Sequence, residues 1–389
     1  MSHMISRNLI QRIPQFFSMV IGFAWIIYSI QFLNNEFFWD LKIYEKAIAI
    51  FAQGGNPYQL DGYLSFVYHP LVLRFMALFG NHLAIALISF FSCSTLFYLA
   101  SLGKNSDWWL SSFLAFAFCG IGTISIGSGN ITVFMHLILL GIMLLSITGT
   151  GPINPERNWP TIAFFFFVTI FSIVKPYMFG FLLIPLILKT STYRQRSIWT
   201  LGVFSALLLS CIFFFSSIYY NSEFHSFLTA VQKQTLGKRD LGYGVVMFFY
   251  DYYISAGHLI YRAFILHFAI IGCIFLAFLY LGYRSNIIKK PEFTLLLYFF
   301  ICILNPRLKV YDLFPALIAL YIFFYSLPQT TFSRWLFLLS YAISLSQFTV
   351  AISWIKWGFL SDPLNTFYIS IALILLGSLP PLLKFKKQL

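Results

Sequence analysis

The sequence predicts an all-α integral membrane protein, a polytopic helical bundle of about 12 spans, within a range of roughly 10–13. Three observations predict it. Of 389 residues, 59% are hydrophobic and 10% charged, where soluble domains carry roughly 25% charged residues. Apolar runs of about 20 residues, the length a membrane helix needs, recur from one end of the chain to the other. The 25 Lys and Arg, set against 12 Asp and Glu, divide unevenly between alternate loops. A soluble enzyme, a secreted disulfide scaffold and a disordered tail are excluded. In such a chain the net charge of +13 reports membrane orientation and lipid contact rather than nucleic acid. Cys93, Cys119, Cys211, Cys273 and Cys302 all lie in apolar segments without metal-ligand spacing and read as small core residues.

The chain is expected to form a single transmembrane domain over 1–389. Residues 1–3, Met-Ser-His before a second Met, read as an expression remnant. The first run, about 13–33, is long enough to span and lacks a small-residue cleavage site, so no cleavable signal peptide is expected. Further runs follow at about 83–102, 108–125, 131–148, 161–175, 177–189, 198–220, 259–282, 293–304, 311–326, 333–355 and 365–383. Those at 161–175, 177–189 and 293–304 are short, the mark of half-helices or of spans broken at proline. With both termini in the cytoplasm, the inner side collects 14 basic residues against Asp107, Glu156 and Glu292. The outer side is nearly balanced, at 11 basic and nine acidic residues. That asymmetry is the positive-inside pattern. The inner loops are short and basic, so a working site is expected to face outward.

The outer loop at 34–82 carries the densest signal. Asp40 precedes a helical pattern in which Leu41, Tyr44, Ile48 and Phe51 share one face, and Gly54-Gly55 ends it. This reads as an amphipathic helix at the membrane surface. Asp40 is expected either to cap that helix or to act as a general base at the membrane boundary, and one residue can do both. Tyr68-His69-Pro70 then re-enters the bilayer, with His69 in an extended turn. Gly127-Ser-Gly-Asn130 breaks an apolar stretch; it reads as a tight helical hairpin, with Asn130 placed to cap the next helix.

Two clusters of charge interrupt the later runs. Lys175-Pro176-Tyr177 lies between short apolar segments, where a lysine must snorkel or meet an anion. Asn305-Pro-Arg-Leu-Lys-Val-Tyr-Asp312 brings Arg307, Lys309 and Asp312 to one helix boundary. That group is either an internal salt bridge or a cationic clamp for a phosphate. The outer loop at 221–258, with Lys233, Lys238, Arg239, Asp240 and the Gly-rich 241–244, reads as a lid over a cleft or as an ordinary solvated loop. No P-loop, His-Glu-x-x-His or Cys/His metal cluster is visible, and no inner loop is large enough to hold a nucleotide. No acidic or basic residue stands out as buried in mid-span.

Asp40, Tyr44, Gly55-Asn-Pro-Tyr58 and Tyr68-His-Pro70, following a first span, resemble the GT-C superfamily of membrane glycosyltransferases. They look most like glycosyltransferase family 87, the polyprenyl-phosphate-mannose-dependent enzymes. Gly127-Ser-Gly-Asn130 is a weaker echo of that family's Gly-Gln-x-Asn, and Lys175-Pro176 another. Two departures bear on the sugar and the acceptor: Tyr-His-Pro stands where the family often has Tyr-Pro-Pro. Lys309-Val-Tyr-Asp312 stands where it commonly has an aromatic and a histidine.

The resemblance implies a GT-C-like fold in a bacterial inner (plasma) membrane, with its site facing the periplasm or exterior. It implies an inverting transferase that takes a sugar, mannose favoured, from a polyprenyl monophosphate to a glycolipid or glycan hydroxyl. Asp40 would be the base, and Lys175, Arg307 and Lys309 would hold the donor phosphate. Tyr44, Tyr58, His69, Asn130 and Asp312 would orient sugar or acceptor. No metal or other cofactor is expected, and no nucleic-acid partner. Two other readings stay open: a transporter or flippase of lipid-linked glycans, and a polysaccharide polymerase using a diphosphate carrier.

Overall fold

The computed structural model describes residues 2–33, 37–59, 66–147, 159–187, 192–234, 242–255, 261–285, 292–353 and 362–384. They are helical almost throughout. From the N-terminus, α1 (Ser2–Leu33) leads to the short helices α2 (Trp39–Ala52) and α3 (Pro70–Ala77), then to α4 (Leu83–Ser101). α5 (Ser106–Ala117) and α6 (Ile121–Gly127) form one apolar run kinked at Cys119, and α7 (Ile131–Ile147) returns from it. α8 (Trp159–Val174) breaks at Lys175 into a 3-10 turn, Pro176–Leu182, and α9 (Leu183–Ile187). Next come α10 (Thr192–Tyr219), α11 (Asn221–Gln232), α12 (Val246–Ser255) and α13 (Tyr261–Arg284). α14 (Phe293–Leu304) and α15 (Val310–Ser326) are separated by a break at Asn305-Pro306, and α16 (Thr331–Ser353) pairs with α17 (Pro363–Lys384).

Each predicted apolar run falls on one of these helices or helix pairs, and the short runs are indeed the broken ones. Among the described residues, six helical stretches are long and apolar enough to cross a membrane. They are Ile13–Gln31, Gly80–Ser101, Ser106–Gly127, Arg196–Tyr219, Tyr261–Arg284 and Pro363–Pro380. By length and composition these helices are those of a helical membrane protein.

Its packing inverts the soluble rule. The long helices α10 and α13 bury only 22% and 17% of their spans and turn Phe204, Leu207, Phe214, Ile265 and Leu276 outward. The shorter α7, α14 and α15 are buried on nearly every side and make the centre of the bundle. A helix apolar all round suits either place, because hydrocarbon is as good a neighbour to Leu and Phe as protein is. The same physics corrects the reading of the cysteines. Cys302 alone is fully buried; Cys93, Cys211 and Cys273 are exposed on outward faces, where a small apolar side chain costs nothing.

The predicted surface helix exists as α2, with its boundaries and stripe as expected. Leu41, Tyr44 and Ile48 are buried and Lys42, Glu45 and Lys46 exposed. Its apolar face, however, is covered by protein: Ala47 and Tyr44 are almost inaccessible, packed toward α3 and the 3-10 turn Pro57–Gln59. The helix therefore docks on the bundle instead of floating on lipid. α11, the start of the segment 221–258, docks on the same region. Asn56 Nδ2 donates to Ser226 Oγ at 3.0 Å, and Arg74 Nη2 reaches both Glu223 carboxylate oxygens at 2.7 and 2.9 Å. Lys238, Arg239 and Asp240 lie outside the described residues.

Candidate functional site

Three Xaa-Pro steps shape the cleft. Pro disfavours the α conformation in the residue before it, so a helix stops there and the preceding side chain swings out of the helical path. His69, Lys175 and Asn305 each precede a proline, and each has an extended backbone, with ψ of 145°, 99° and 112°. At the third break Asn305 brackets Arg307: its Oδ1 accepts from the Arg307 N–H at 3.1 Å, and its Nδ2 donates to the Arg307 carbonyl at 3.0 Å. That segment is also pinned from outside. The Tyr243 N–H donates to the Leu308 carbonyl at 2.6 Å. Gly242, at φ +66°, lets the backbones meet: a Cβ there would stand 2.2 Å from the Leu308 oxygen.

Asp40 is placed by the Gly127-Ser-Gly-Asn130 turn. The N-cap of α2 is Phe38, in the left-handed region, and Asp40 lies in the first helical turn without a capping bond. The expectation of Asp40 as the cap is therefore corrected. The physical reason is that the orphan N–H groups of α2 find other acceptors. Phe38 N–H donates to the Gly127 carbonyl at 2.7 Å, and Asp40 N–H to that of Ser128 at 3.0 Å. The carboxylate is left for Asn130, whose Nδ2 donates to Asp40 Oδ2 at 2.7 Å. Asn130 Oδ1 accepts from the Thr132 N–H at 3.0 Å, the expected cap of α7, and this fixes which end of the amide faces Asp40.

The turn needs Gly129. Its φ is +67°, and a Cβ would meet the Phe38 ring at 2.7 Å. Gly129→Ala is expected to cost about 1–2 kcal/mol in backbone strain alone and to displace Phe38, and with it Asp40. Thermal unfolding in detergent reads the first effect, and loss of activity without loss of protein the second.

Around Asp40 the structure assembles most of the expected residues. Burial pushes its carboxyl up to about 6, opposed by the Asn130 hydrogen bond and the charges of Lys175, Lys309 and Arg307. Lys175 holds its ammonium 5.0 Å from the Tyr68 ring centre and 5.4 Å from that of Tyr311. Burial and the neighbouring Arg307 bring Lys175 down to about 8, and burial likewise brings Lys309 to about 8. Tyr44 is buried with its hydroxyl 2.9 Å from that of Tyr68 and accepts from the Ile131 N–H at 3.4 Å. Asp312 is buried; its Oδ1 accepts from the Tyr177 hydroxyl at 2.6 Å and its Oδ2 from the Lys309 N–H at 3.2 Å.

Two expected residues serve elsewhere. Tyr58 is buried against Phe66 and Phe227 and donates its hydroxyl to the Tyr68 carbonyl at 3.0 Å, which fixes Tyr68. His69 points its ring among Phe213, Phe224 and Phe227, and its Nδ1 accepts from the Leu71 N–H at 3.2 Å. It caps α3, and burial lowers it to about 4. Of the Tyr68-His-Pro70 motif, Tyr68 is the residue that turns toward Lys175.

A buried polar chain was not anticipated. His136, inaccessible within α7, bonds through Nδ1 to the Tyr298 hydroxyl and through Nε2 to that of Tyr177 at 2.6 Å. Its Nε2 stands 3.7 Å from Asp312 Oδ1. This corrects the expectation that no ionisable residue is buried in mid-span. Its signal was present: His136 is the one ionisable side chain in the run Ile131–Ile147, and a titratable group inside an apolar run is by default a site marker.

Beside the polar cluster lies an apolar cavity of about 510 Å³ lined by Phe75, Phe79, Leu87, Phe90, Met135 and Phe171. It also reaches Ile131 and Val174, the residues adjoining Asn130 and Lys175. No protein-family model, curated protein or solved structure matches the chain.

Proposed function

We propose that the chain is a polyprenyl-phosphate-sugar-dependent, inverting glycosyltransferase of the GT-C type, with its site on the outer face of the inner membrane. The observation that carries the reading is the juxtaposition of a buried carboxylate, a cationic group and an apolar cavity. Asp40, with its raised carboxyl, lies in the field of Lys175, Arg307 and Lys309, and the 510 Å³ cavity reaches Ile131 and Val174 beside Asn130 and Lys175. A prenyl phosphate sugar has a matching part for each: an anomeric carbon, an anionic phosphate and a hydrocarbon chain.

In this mechanism Asp40 takes the proton of the acceptor hydroxyl as its oxygen attacks the anomeric carbon. The bond from that carbon to the phosphate oxygen breaks, and configuration inverts. Charge building on the phosphate is met by Lys175, Lys309 and Arg307. Asn130 holds the base in place, while Tyr44, Tyr68 and Asp312 offer hydroxyl and carboxylate partners to sugar and acceptor. With these cations beside the leaving phosphate, the reading requires no metal, and EDTA is expected to leave activity unchanged. Mannose is the favoured sugar, on the resemblance alone.

The test is sugar transfer by the protein in nanodiscs, from radiolabelled polyprenyl-phosphate-mannose to an envelope-lipid acceptor. Glucose and arabinose donors run in parallel. Label passing into the acceptor fraction supports the reading; carrier binding without transfer from any donor removes it. The pH profile carries its own expectation. A general base works deprotonated, so kcat/KM rises with pH through about 6. The lysines bind phosphate when protonated, so kcat/KM falls again above about 8. A bell between those limits is expected, and a flat profile from pH 5 to about 9 would count against both assignments.

One observation favours a second reading. His136 and Asp312 form an ionisable pair inside the bundle, between broken helices, an arrangement transporters use. A flippase of lipid-linked glycans would bind the carrier and move it without dependence on Asp40.

A further inference from the structure

We infer that Tyr177, steadied by His136, holds the Asp312 carboxylate away from the Lys175 ammonium, so that Lys175 keeps its charge for an incoming anion. The inference rests on reading the cleft as a prenyl-phosphate site, and it names the residues that keep that site from neutralising itself.

Asp312 and Lys175 lie in each other's field. Opposite charges placed so close, in a setting poor in water, attract strongly. Yet among the described residues no carboxylate forms an ion pair with Lys175. Both sides of the pair are held by neutral groups instead. On the cation side, Tyr68 and Tyr311 present rings at 5.0 and 5.4 Å; a ring face steadies an ammonium without cancelling its charge. On the anion side, each oxygen of Asp312 is engaged, Oδ1 by the Tyr177 hydroxyl at 2.6 Å and Oδ2 by the Lys309 N–H at 3.2 Å.

The polarity of the chain makes Tyr177 a committed donor. An ionised carboxylate only accepts, so the Tyr177 proton points at Asp312. The Tyr177 oxygen then accepts from His136 Nε2 at 2.6 Å, which places a proton on that nitrogen. In a neutral imidazole the other nitrogen accepts, here from the Tyr298 hydroxyl. All three bonds run one way, Tyr298 to His136 to Tyr177 to Asp312. His136 and Tyr298 are wholly buried, so no solvent competes for the bond between them. Tyr177 also lies two residues beyond Lys175, across the Pro176 break, so the residue restraining the carboxylate is set by the turn that delivers the cation.

The experiment is a double-mutant cycle read by binding, on the full chain in nanodiscs, with farnesyl phosphate and uncharged farnesol as probes. Wild type should bind farnesyl phosphate more tightly than farnesol. Tyr177→Phe removes the hydroxyl and frees Oδ1 for Lys175; it should weaken farnesyl phosphate about tenfold and leave farnesol unchanged. In an Asp312→Asn background the charge that Tyr177 restrains is gone, so Tyr177→Phe should have no effect on either probe. A loss that persists in the Asp312→Asn background, an equal loss of both probes, no loss at all, or a wild type that does not tell the probes apart would each overturn the inference. Should Tyr177→Phe not fold, His136→Leu, which loosens Tyr177 but keeps its hydroxyl, is expected to give a smaller loss with the same dependence on Asp312. His136→Gln, which retains an N–H donor, should restore discrimination. Because the cycle reads binding alone, a wild type that discriminates the probes but transfers no sugar removes the transferase reading and leaves this inference standing.

Discussion

Asp40→Asn is expected to lower kcat by about 10²–10⁴-fold while leaving farnesyl phosphate binding at or slightly above the wild-type level. The exchange is nearly isosteric, and an amide oxygen can still accept from Asn130 Nδ2, which donates to Asp40 at 2.7 Å in the native site. The turn 127–130 and the start of α2 should therefore keep their geometry, and the protein its thermal stability. What is lost is basicity alone. A carboxyl raised to about 6 is close to the ideal for a base working near neutrality; an amide has no such function. Removing one negative charge from a cleft that holds a phosphate can only help the phosphate, hence the small gain in binding. Single-turnover transfer beside equilibrium binding separates the two quantities. Equal transfer by variant and wild type would take Asp40 out of the chemistry, and a parallel loss of binding would make it a structural residue.

Lys175→Gln is expected to lower kcat by about 10²–10³-fold, the range found when one group that stabilises developing charge is removed. Lys175 stands between two tyrosine rings with no carboxylate paired to it among the described residues, so its full charge is available as the phosphate departs. The phosphate gains negative charge in the transition state, so the effect should fall on kcat more than on KM. Lys175→Arg should rescue only in part: it keeps the charge, but as a planar, delocalised fork in place of a compact ammonium. A rise in KM with kcat unchanged would make Lys175 a docking residue only. No change in either would leave Arg307 and Lys309 as the phosphate's partners.

The helical class was legible because membrane helices are written in composition and length, and six of the apolar runs became helices long enough to cross a membrane. The breaks were legible because Pro176 and Pro306 act locally through the residue before them. Asp40, Asn130, Lys175, Lys309 and Asp312 could be singled out for a related reason: each is a polar group at the end of an apolar run. Nothing local told which of them would meet. Asn130 reaches Asp40 across 90 residues and Tyr177 reaches Asp312 across 135, and no periodicity carries such pairings. His136 was passed over because a helix buried all round has no polar face to betray it. Tyr58 and His69 were misjudged for the opposite reason. They sit in the motif nearest Asp40, but the Tyr58 hydroxyl is spent on the Tyr68 carbonyl and His69 Nδ1 on the Leu71 N–H, while His69 Nε2 is buried without a partner among the described residues.

The brevity of the central helices has a consequence for how a lipid-borne substrate would arrive. α14 has 12 residues and α15 has 17, so they are about 18 and 26 Å long, against about 30 Å of hydrocarbon in a bilayer. α10 and α13, at 28 and 24 residues, clear that thickness. On the proposed reading a tall rim would surround a shallow floor, and the residues at the break between α14 and α15 would lie below the headgroups of a bilayer that the long helices cross. A carrier phosphate would enter by moving sideways through the rim and sinking a few ångströms, its tail never leaving the oil. Bilayer thickness then becomes a variable of turnover: thicker membranes should deepen that descent, and thinner ones should flatten it.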